Sequence, residues 1–536
     1  MSTALEAASL IMIPTSYNDG LLASVKPNDG AGDFTFARCN GAAQCDLAAT
    51  RVNSDGYIGK GYENLLLQSN TFNTTWLQTD LTATNGQSGY DGSNDAWLLN
   101  KSAANGRIRQ YVTDTGIQTL SAYFKAGTNN WMRITYGGAT TYFDLANGVL
   151  GSDNSIDATI TSIGSGWYRC TFTANVTSAQ YAQFYVADAN GDTSGTTGSI
   201  YIQDAMLNQG MVAYPYVETT TASVAAGILE DMPRIDFSGG NQSLLLEPSR
   251  TNRCTFSEYF QGAAWLSIGS PTITTNYGIS PEGVKNSTRI QFSGTNQCIY
   301  DGISYTSEEV STIYVKGTSG ETIKFGKGDN IFVGDIFTLD GTWQRLKFVQ
   351  SVSGNTFTIN TSSGATARDI EIWGAQNEEG SYPTSYIPTY GVSQTRLRDE
   401  VDDLSSPAVA GFTEFTWFFD NTGSQLDGAV KVVFQLVCTG TSLRYYSSQG
   451  GRFYAGGYFG EDNAIGKLCV KYNGTTLTMF KDGVKSASTI NTNLGTIIYL
   501  DRLFTTDSIG TPIRLNQMSL FPTALSDEEC IALTTI

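Results

Sequence analysis

The chain has 536 residues, 40% hydrophobic and only 15% charged, with 57 glycines, 50 acidic against 32 basic residues, and no histidine. A formal charge of −18 repels a phosphate backbone and argues against nucleic acid as a partner; no window holds the ~20 apolar residues of a membrane helix, so no membrane insertion is expected. Without histidine there is no Ser-His-Asp or Cys-His triad, no imidazole zinc site and no histidine general base, while paired carboxylates stay open as catalysts.

Taken in chain order, the start MSTALEAASLIMIP carries Glu6 and no Lys or Arg ahead of its short apolar run, which does not read as a secretory leader. Residues 1–60 alternate short apolar runs with GAGD, NGAA and NSDG turns. That stretch is too broken to build a core alone. It is read as an irregular attachment segment that packs against Gly227 to Gly240 or against another protein. The eight cysteines are scattered with no C-x-x-C spacing, and Cys39 and Cys45 form the one close pair. All are expected as free buried thiols of a reducing cell.

Residues 61–222 and 223–398 read as two copies of a degenerate repeat. Leu65-Leu66-Leu67 leading to Trp76 is set against Leu244-Leu245-Leu246 leading to Trp265. Tyr123-Phe124-Lys125 matches Tyr314-Val315-Lys316. The segment GWYRCTF from Gly166 matches TWQRLKF from Thr342, and IYIQDAMLNQG from Ile200 matches IEIWGAQNEEG from Ile370. Within each copy the hydrophobic period is two. Met132, Ile134 and Tyr136 face one way and Trp131, Arg133 and Thr135 the other; Ala182, Phe184 and Val186 alternate with Tyr181, Gln183 and Tyr185. This is half-buried strand patterning, and turn residues recur at the ~8–12-residue spacing of sandwiches and jelly rolls. The fold class is therefore all-β, with tandem antiparallel β-sandwich or jelly-roll domains. The repeat-equivalent pairs Trp76/Trp265 and Trp167/Trp343 are expected inside the cores, where a large aromatic buries most area.

Residues 399–536 form a third unit. Asn473-Gly474 and Asp482-Gly483 are two-residue hairpin signals, and Ser526 with Glu529 makes a capping box for a short terminal helix.

The segments TRVNSDGYI (Thr50 to Ile58), DMPRIDF (Asp231 to Phe237), SLLLEPSRTN (Ser243 to Asn252), GAQNEEGSYPTSYIPT (Gly374 to Thr389) and SLFPTALSDEECIALTT (Ser519 to Thr535) resemble the landmarks of a modular tailed-phage virion family. The resemblance implies jelly rolls similar to carbohydrate-binding modules and a C-terminal concanavalin-like (laminin-G-like) sandwich. It also implies a tail fibre, head fibre or capsid decoration made in the host cytoplasm and released by lysis. Other virion proteins would be its partners and a homo-oligomer, taken as a trimer, its state. The chain departs from the simpler family pattern because residues 61–222 stand as an extra module between the TRVN and MPRID segments.

Glycan binding needs flat aromatic faces for sugar C–H surfaces and polar groups for the hydroxyls. Strand parity puts Trp131, Arg133, Tyr181, Gln183 and Tyr185 on the non-core face of the first sandwich, which makes them the candidate glycan platform. The same face could instead pack on a subunit or domain, since aromatics and arginine also favour interfaces. The acidic cluster Asp399, Glu400, Asp402 and Asp403 has the oxygen-rich character of a calcium loop but lies at a domain junction without ligand spacing, and is expected as a solvated linker. No catalytic residue, metal site or cofactor is assigned. The expected role is non-enzymatic and adhesive. A purely structural virion component and a glycan depolymerase with a hidden carboxylate pair are the alternatives.

Overall fold

The computed structural model describes residues 3–535 apart from 16, 19, 39–46, 230, 263, 304–307, 329, 351–355, 362–366, 402–403, 425–431, 447–451, 461–464 and 502–511. The chain is all-β, with antiparallel strands packed as tandem two-sheet sandwiches. In the first sandwich, one six-stranded sheet runs in the order Asp157–Gly164, Trp167–Val176, Gly116–Ala126, Gly198–Gln209, Ala96–Lys101, Leu81–Gln87. The facing sheet runs Val149–Asp153, Ala139–Asp144, Trp131–Tyr136, Gln180–Ala187, Arg107–Val112, Leu77–Thr79. Alternate residues from both, such as Ile108, Leu120, Phe124, Ile134, Phe172 and Phe184, close a single core. Each such side chain contributes about 1.5–3 kcal/mol by leaving water.

The second sandwich pairs two five-stranded sheets. Its core holds Trp265, Ile290, Ile299, Phe325, Phe357 and Ile372. The two copies share one keystone. The amide of Asn64 donates to Ala205 O and Val217 O at 3.1 and 2.8 Å, and its oxygen accepts from the Leu66 and Leu207 N–H groups, both at 3.1 Å. Asn252 repeats this with Ala375 O and Ile387 O at 3.1 and 2.8 Å, and with Cys254 and Asn377 N–H at 3.1 and 3.0 Å. Five residues on, Ser69 Oγ accepts from Thr219 N–H at 2.9 Å and Ser257 Oγ from Thr389 N–H at 2.8 Å.

These bonds correct the repeat's starting point. Leu65-Leu66-Leu67 correspond to Arg253-Cys254-Thr255, not to Leu244-Leu245-Leu246. The latter triplet instead pairs with Ile513–Leu515, and its Leu244 and Leu246 join the C-terminal core. Trp76 and Trp265 are buried in their respective cores, each donating its indole N–H to a carbonyl of the incoming segment, Gln68 O at 3.1 Å and Phe256 O at 2.9 Å. Trp167 is fully buried, at 1% exposure, but on the far side of its sheet from the inner cluster, because its strand turns Cys170 and Phe172 inward; Trp343 stands just before a strand that turns Leu346 inward and is only half-buried. Trp167 is covered by Tyr90 and Tyr201. Trp343 is half-buried against Ile58, Trp373 and Tyr386, with its indole N–H on Ile279 O at 3.0 Å.

The third sandwich carries a six-stranded and a five-stranded sheet. One edge strand of the larger sheet is Leu10–Met12, paired antiparallel with Gln517–Phe521. Leu10, Met12, Leu22, Phe34 and Phe36 lie in the same core as Trp417 and Phe419. Leu10–Met12, Leu21–Leu22 and Phe34–Ala37 are therefore woven into the C-terminal sandwich, in contrast to the separate irregular segment read for residues 1–60. The expected contact with the Gly227–Gly240 stretch is present too: Gly20 N–H donates to Asp231 O at 3.0 Å and Phe237 N–H to Val52 O at 3.0 Å. The terminal helix Asp527–Thr535 starts on the capping box, with Ser526 N–H on Glu529 Oε2 at 2.8 Å and Glu529 N–H on Ser526 Oγ at 3.1 Å. Asp482-Gly483 forms a two-residue turn with both φ positive, at 46° and 82°. At Asn473-Gly474 the turn is longer than a two-residue hairpin: Tyr472 faces Leu477, and the Asn473 side chain caps Thr475 and Thr476. Cys170, Cys254, Cys298, Cys438, Cys469 and Cys530 are buried free thiols; Cys39 and Cys45 lie outside the described residues.

The sandwiches are joined by close backbone and by a buried cation. Gly116 has φ +104° and an added Cβ would lie 1.9 Å from Tyr390 O, the oxygen that accepts Ile117 N–H at 2.6 Å. Only glycine allows that approach. Lys60, between the first two units, meets Glu258 Oε1 at 2.7 Å, Glu282 Oε2 at 2.9 Å and Tyr390 OH at 2.8 Å.

Candidate functional site

The outward face of the sheet holding Trp131–Tyr136 is built by strand parity. On the inward side Ile134, Phe184 and Ile108 form one row across three neighbouring strands. The residues next to each of these must point outward. Arg133 lies opposite Tyr185, which lies opposite Arg107; Thr135 lies opposite Gln183, which lies opposite Arg109. Tyr181 lies opposite Tyr111. The five residues singled out from sequence thus share one face of two adjacent strands.

The arginines lie over the tyrosine rings. Arg133 is 3.6 Å and Arg107 5.3 Å from the centre of the Tyr185 ring, and Arg109 is 4.4 Å from that of Tyr181. Tyr111 meets Tyr181 edge-on at 5.1 Å. Arg133 also donates to Tyr142 OH at 3.4 Å, and Tyr185 OH donates to Gln183 Oε1 at 3.0 Å. Stacking of this kind is worth about 0.5–2 kcal/mol per pair and fixes the direction of the guanidinium edge. Tyr185 is nearly covered, at 7% exposure, whereas Tyr111 is open at 54%. A cleft of about 450 Å³ opens beside Tyr111 and Tyr181, walled by Leu65, Leu67, Leu77 and Asp114. Trp131 stands at the other end, half-buried, with its ring against Gly151, where an added Cβ would come within 2.7 Å of it. It forms a rim and not an open platform.

Sequence reasoning missed Arg107, Arg109, Tyr111 and Tyr142. The first three alternate in RIRQYV, the same period-two signal, but nothing local says that this strand neighbours Gln180–Ala187. Tyr142 reaches the face because the Gly137-Gly138 turn folds its strand straight back.

The second sandwich has the corresponding sheet without the corresponding surface. Its rows read Lys324–Asn360–Cys298 and Gly326–Thr358–Tyr300 in place of Arg133–Tyr185–Arg107 and Thr135–Gln183–Arg109. The loop after Thr322–Gly328 lies across them: Thr358 Oγ1 donates to Ile331 O at 2.6 Å and Asn360 Nδ2 to Val333 O at 3.2 Å. The short turn of the first sandwich leaves the face open, and the longer loop of the second fills it.

Of the acidic cluster, Asp399 and Glu400 are engaged in ion pairs and do not form a solvated linker. Asp399 is 0% exposed and joins a buried ionic network. Arg38 Nε meets Asp399 Oδ1 at 2.8 Å and Arg234 bonds Asp399 Oδ2; Arg234 and Arg396 reach Glu247 Oε2 at 2.7 and 3.0 Å. Glu400 pairs with Arg398. Asp402 and Asp403 lie outside the described residues. Among the described residues no group of three or more Cys, Asp or Glu is placed to hold a metal ion. Burial pushes the carboxyls of Asp204 and Asp301 up to about 6. Asp204 belongs to the opposite sheet of the first sandwich and Asp301 to the second sandwich, so neither borders the arginine–tyrosine face.

No protein-family profile and no curated protein matches the chain. Among solved structures it is similar to the N-terminal CBM22-1-CBM22-2 tandem domain from Paenibacillus barcinonensis Xyn10C, at 9% identity over 67% of this chain and 99% of that one, with a TM-score of 0.18. At that score the likeness carries no argument about this chain.

Proposed function

We propose that the protein is a non-enzymatic, glycan-binding component of a bacteriophage particle, displayed on its surface as a fibre or decoration. The observation that carries the glycan reading is the open arginine–tyrosine face of the first sandwich, with a cleft at its end. Tyrosine rings offer C–H surfaces a flat partner, and guanidinium edges and Gln183 offer hydrogen bonds to hydroxyls. The virion context is supported by the sequence landmarks from Thr50 to Thr535. A glycan array probed with the full chain tests the first part: sugar binding that is lost in Tyr181→Ala and Arg133→Ala is expected, and an array blank for the native chain refutes it. Mass spectrometry of purified particles tests the second, and absence of the polypeptide there refutes it. A trimeric state is the accompanying proposal, checked by light scattering.

The filled face of the second sandwich favours a second reading for that unit. There the sandwich serves as a spacer or a contact module for other virion proteins, with no sugar bound.

A further inference from the structure

On the open face two cations converge. Arg107 and Arg133 come from strands on either side of Tyr185 and lay their guanidiniums on that one ring. Arg109 follows one row along, over Tyr181. In a chain with 50 acidic against 32 basic residues, none of these three makes an ion pair among the described residues. Other partly exposed arginines do: Arg253 with Glu309 and Glu379, Arg289 with Asp369, Arg514 with Asp236. The carboxylate of Asp144, opposite Trp131, is spent on its own turn, accepting from the Ala146 and Asn147 N–H groups and from the Asn147 amide. The Nε atoms of all three arginines are buried and without a partner. Like charges held over a single nearly covered ring repel through a medium that screens less than bulk water. An anion placed between them removes that repulsion and gains charge-assisted, two-pronged hydrogen bonds.

Resting on the glycan-binding reading, we infer that this face takes an anionic polysaccharide, its sugar carboxylates held by Arg107, Arg109 and Arg133 while neighbouring rings lie against Tyr111 and Tyr181 above the cleft. Carboxylate matches the fork of a guanidinium, and the exposed Tyr111 with the half-buried Tyr181 supplies the apolar contact that a free anion would not need.

Calorimetric titration of the full chain with oligogalacturonate, its methyl ester, a sulfated dextran and a neutral xylan oligomer tests this. The uronate binds, binding weakens as salt rises, and esterification costs about tenfold or more. Arg107→Gln and Arg133→Gln each weaken uronate binding about ten- to a hundredfold, while the chain still melts cooperatively, since each loses one ring contact together with one of two repelling cations. Equal affinity for the ester or the neutral oligomer, or unchanged affinity in both variants, overturns the anionic assignment and leaves glycan binding standing. Tighter binding of the sulfated polymer than of the uronate overturns the carboxylate assignment. Failure of the native chain to bind any of the four, and a blank glycan array, overturns both readings. The ester and salt arms use the native chain, so the outcome does not depend on a variant folding.

Discussion

Asn64 and Asn252 perform one task in two segments that otherwise share little. Each holds two carbonyls and two N–H groups of the chain around it. Replacing either by alanine strands those groups in the interior, at about 1–3 kcal/mol for each one left unpaired. Asn64→Ala is therefore expected to destabilise the first sandwich by about 3 kcal/mol or more. Denaturant unfolding followed by tryptophan fluorescence measures this, and an unmoved midpoint contradicts it. Asp204 works in the opposite sense. It sits at a bulge with φ 54°, accepts from Tyr90 OH at 2.8 Å, and burial raises its carboxyl to about 6. The folded state holds that proton more tightly than the unfolded chain, so its contribution is complete below about pH 4 and fades as pH rises through about 6. Asp204→Asn should flatten the fall in thermal stability across that window; an unchanged pH profile would count against it.

At the level of single elements, the edge strand Leu10–Met12 decides how the C-terminal sheet ends. Three consecutive buried residues, Leu10, Ile11 and Met12, cover the backbone of Gln517–Phe521 on one side and fill two clusters. Deleting residues 1–13 should expose a long unpaired edge and open the core beneath Trp417. The expected result is a lower melting temperature for the C-terminal sandwich and concentration-dependent aggregation, read by calorimetry and light scattering. A soluble truncation melting at the native temperature would rule this out. A comparable choice separates the first two sandwiches. A two-glycine turn lays no loop over Arg133 and Tyr185, and a longer loop puts Ile331 and Val333 over Thr358 and Asn360.

Across the whole molecule, the buried network of Arg38, Arg234, Arg396, Glu247 and Asp399 ties the N-terminal segment, the linker before the second sandwich and the junction after it. Burial alone would raise the Asp399 carboxyl, but Arg234, Arg38 and Arg396 outweigh it and hold the group below its ordinary range. Breaking one partner of such a cluster leaves uncompensated buried charge, which typically costs about 3–5 kcal/mol. Asp399→Asn should destabilise by that order at neutral pH. The native contribution is present above about pH 4 and lost as pH falls below it, so the gap between native and variant should shrink in acid. A gap that is constant with pH would show that the charge is not what matters there.

Local pattern determined much of this protein. Alternation in WMRITY and YAQFYVA determines which residues are inward and which outward, because side chains on a strand alternate whatever it pairs with. The capping box and the Asp-Gly turn are equally local. The tandem repeat is legible in Tyr123/Tyr314 and Ile200/Ile370, since each copy's long central strand keeps its landmarks. Tertiary structure alone decided which strands are neighbours. Arg107 joins Arg133 on Tyr185 only because strands far apart in sequence pair in that order, and Leu244–Leu246 leaves the repeat only because Ile513–Leu515 lies beside it. It also decided that Asp399 is buried and that one sandwich face is open while its counterpart is filled. Such outcomes depend on pairing register and on loops laid over sheets, which are set by contacts distant along the chain and leave no periodicity in it.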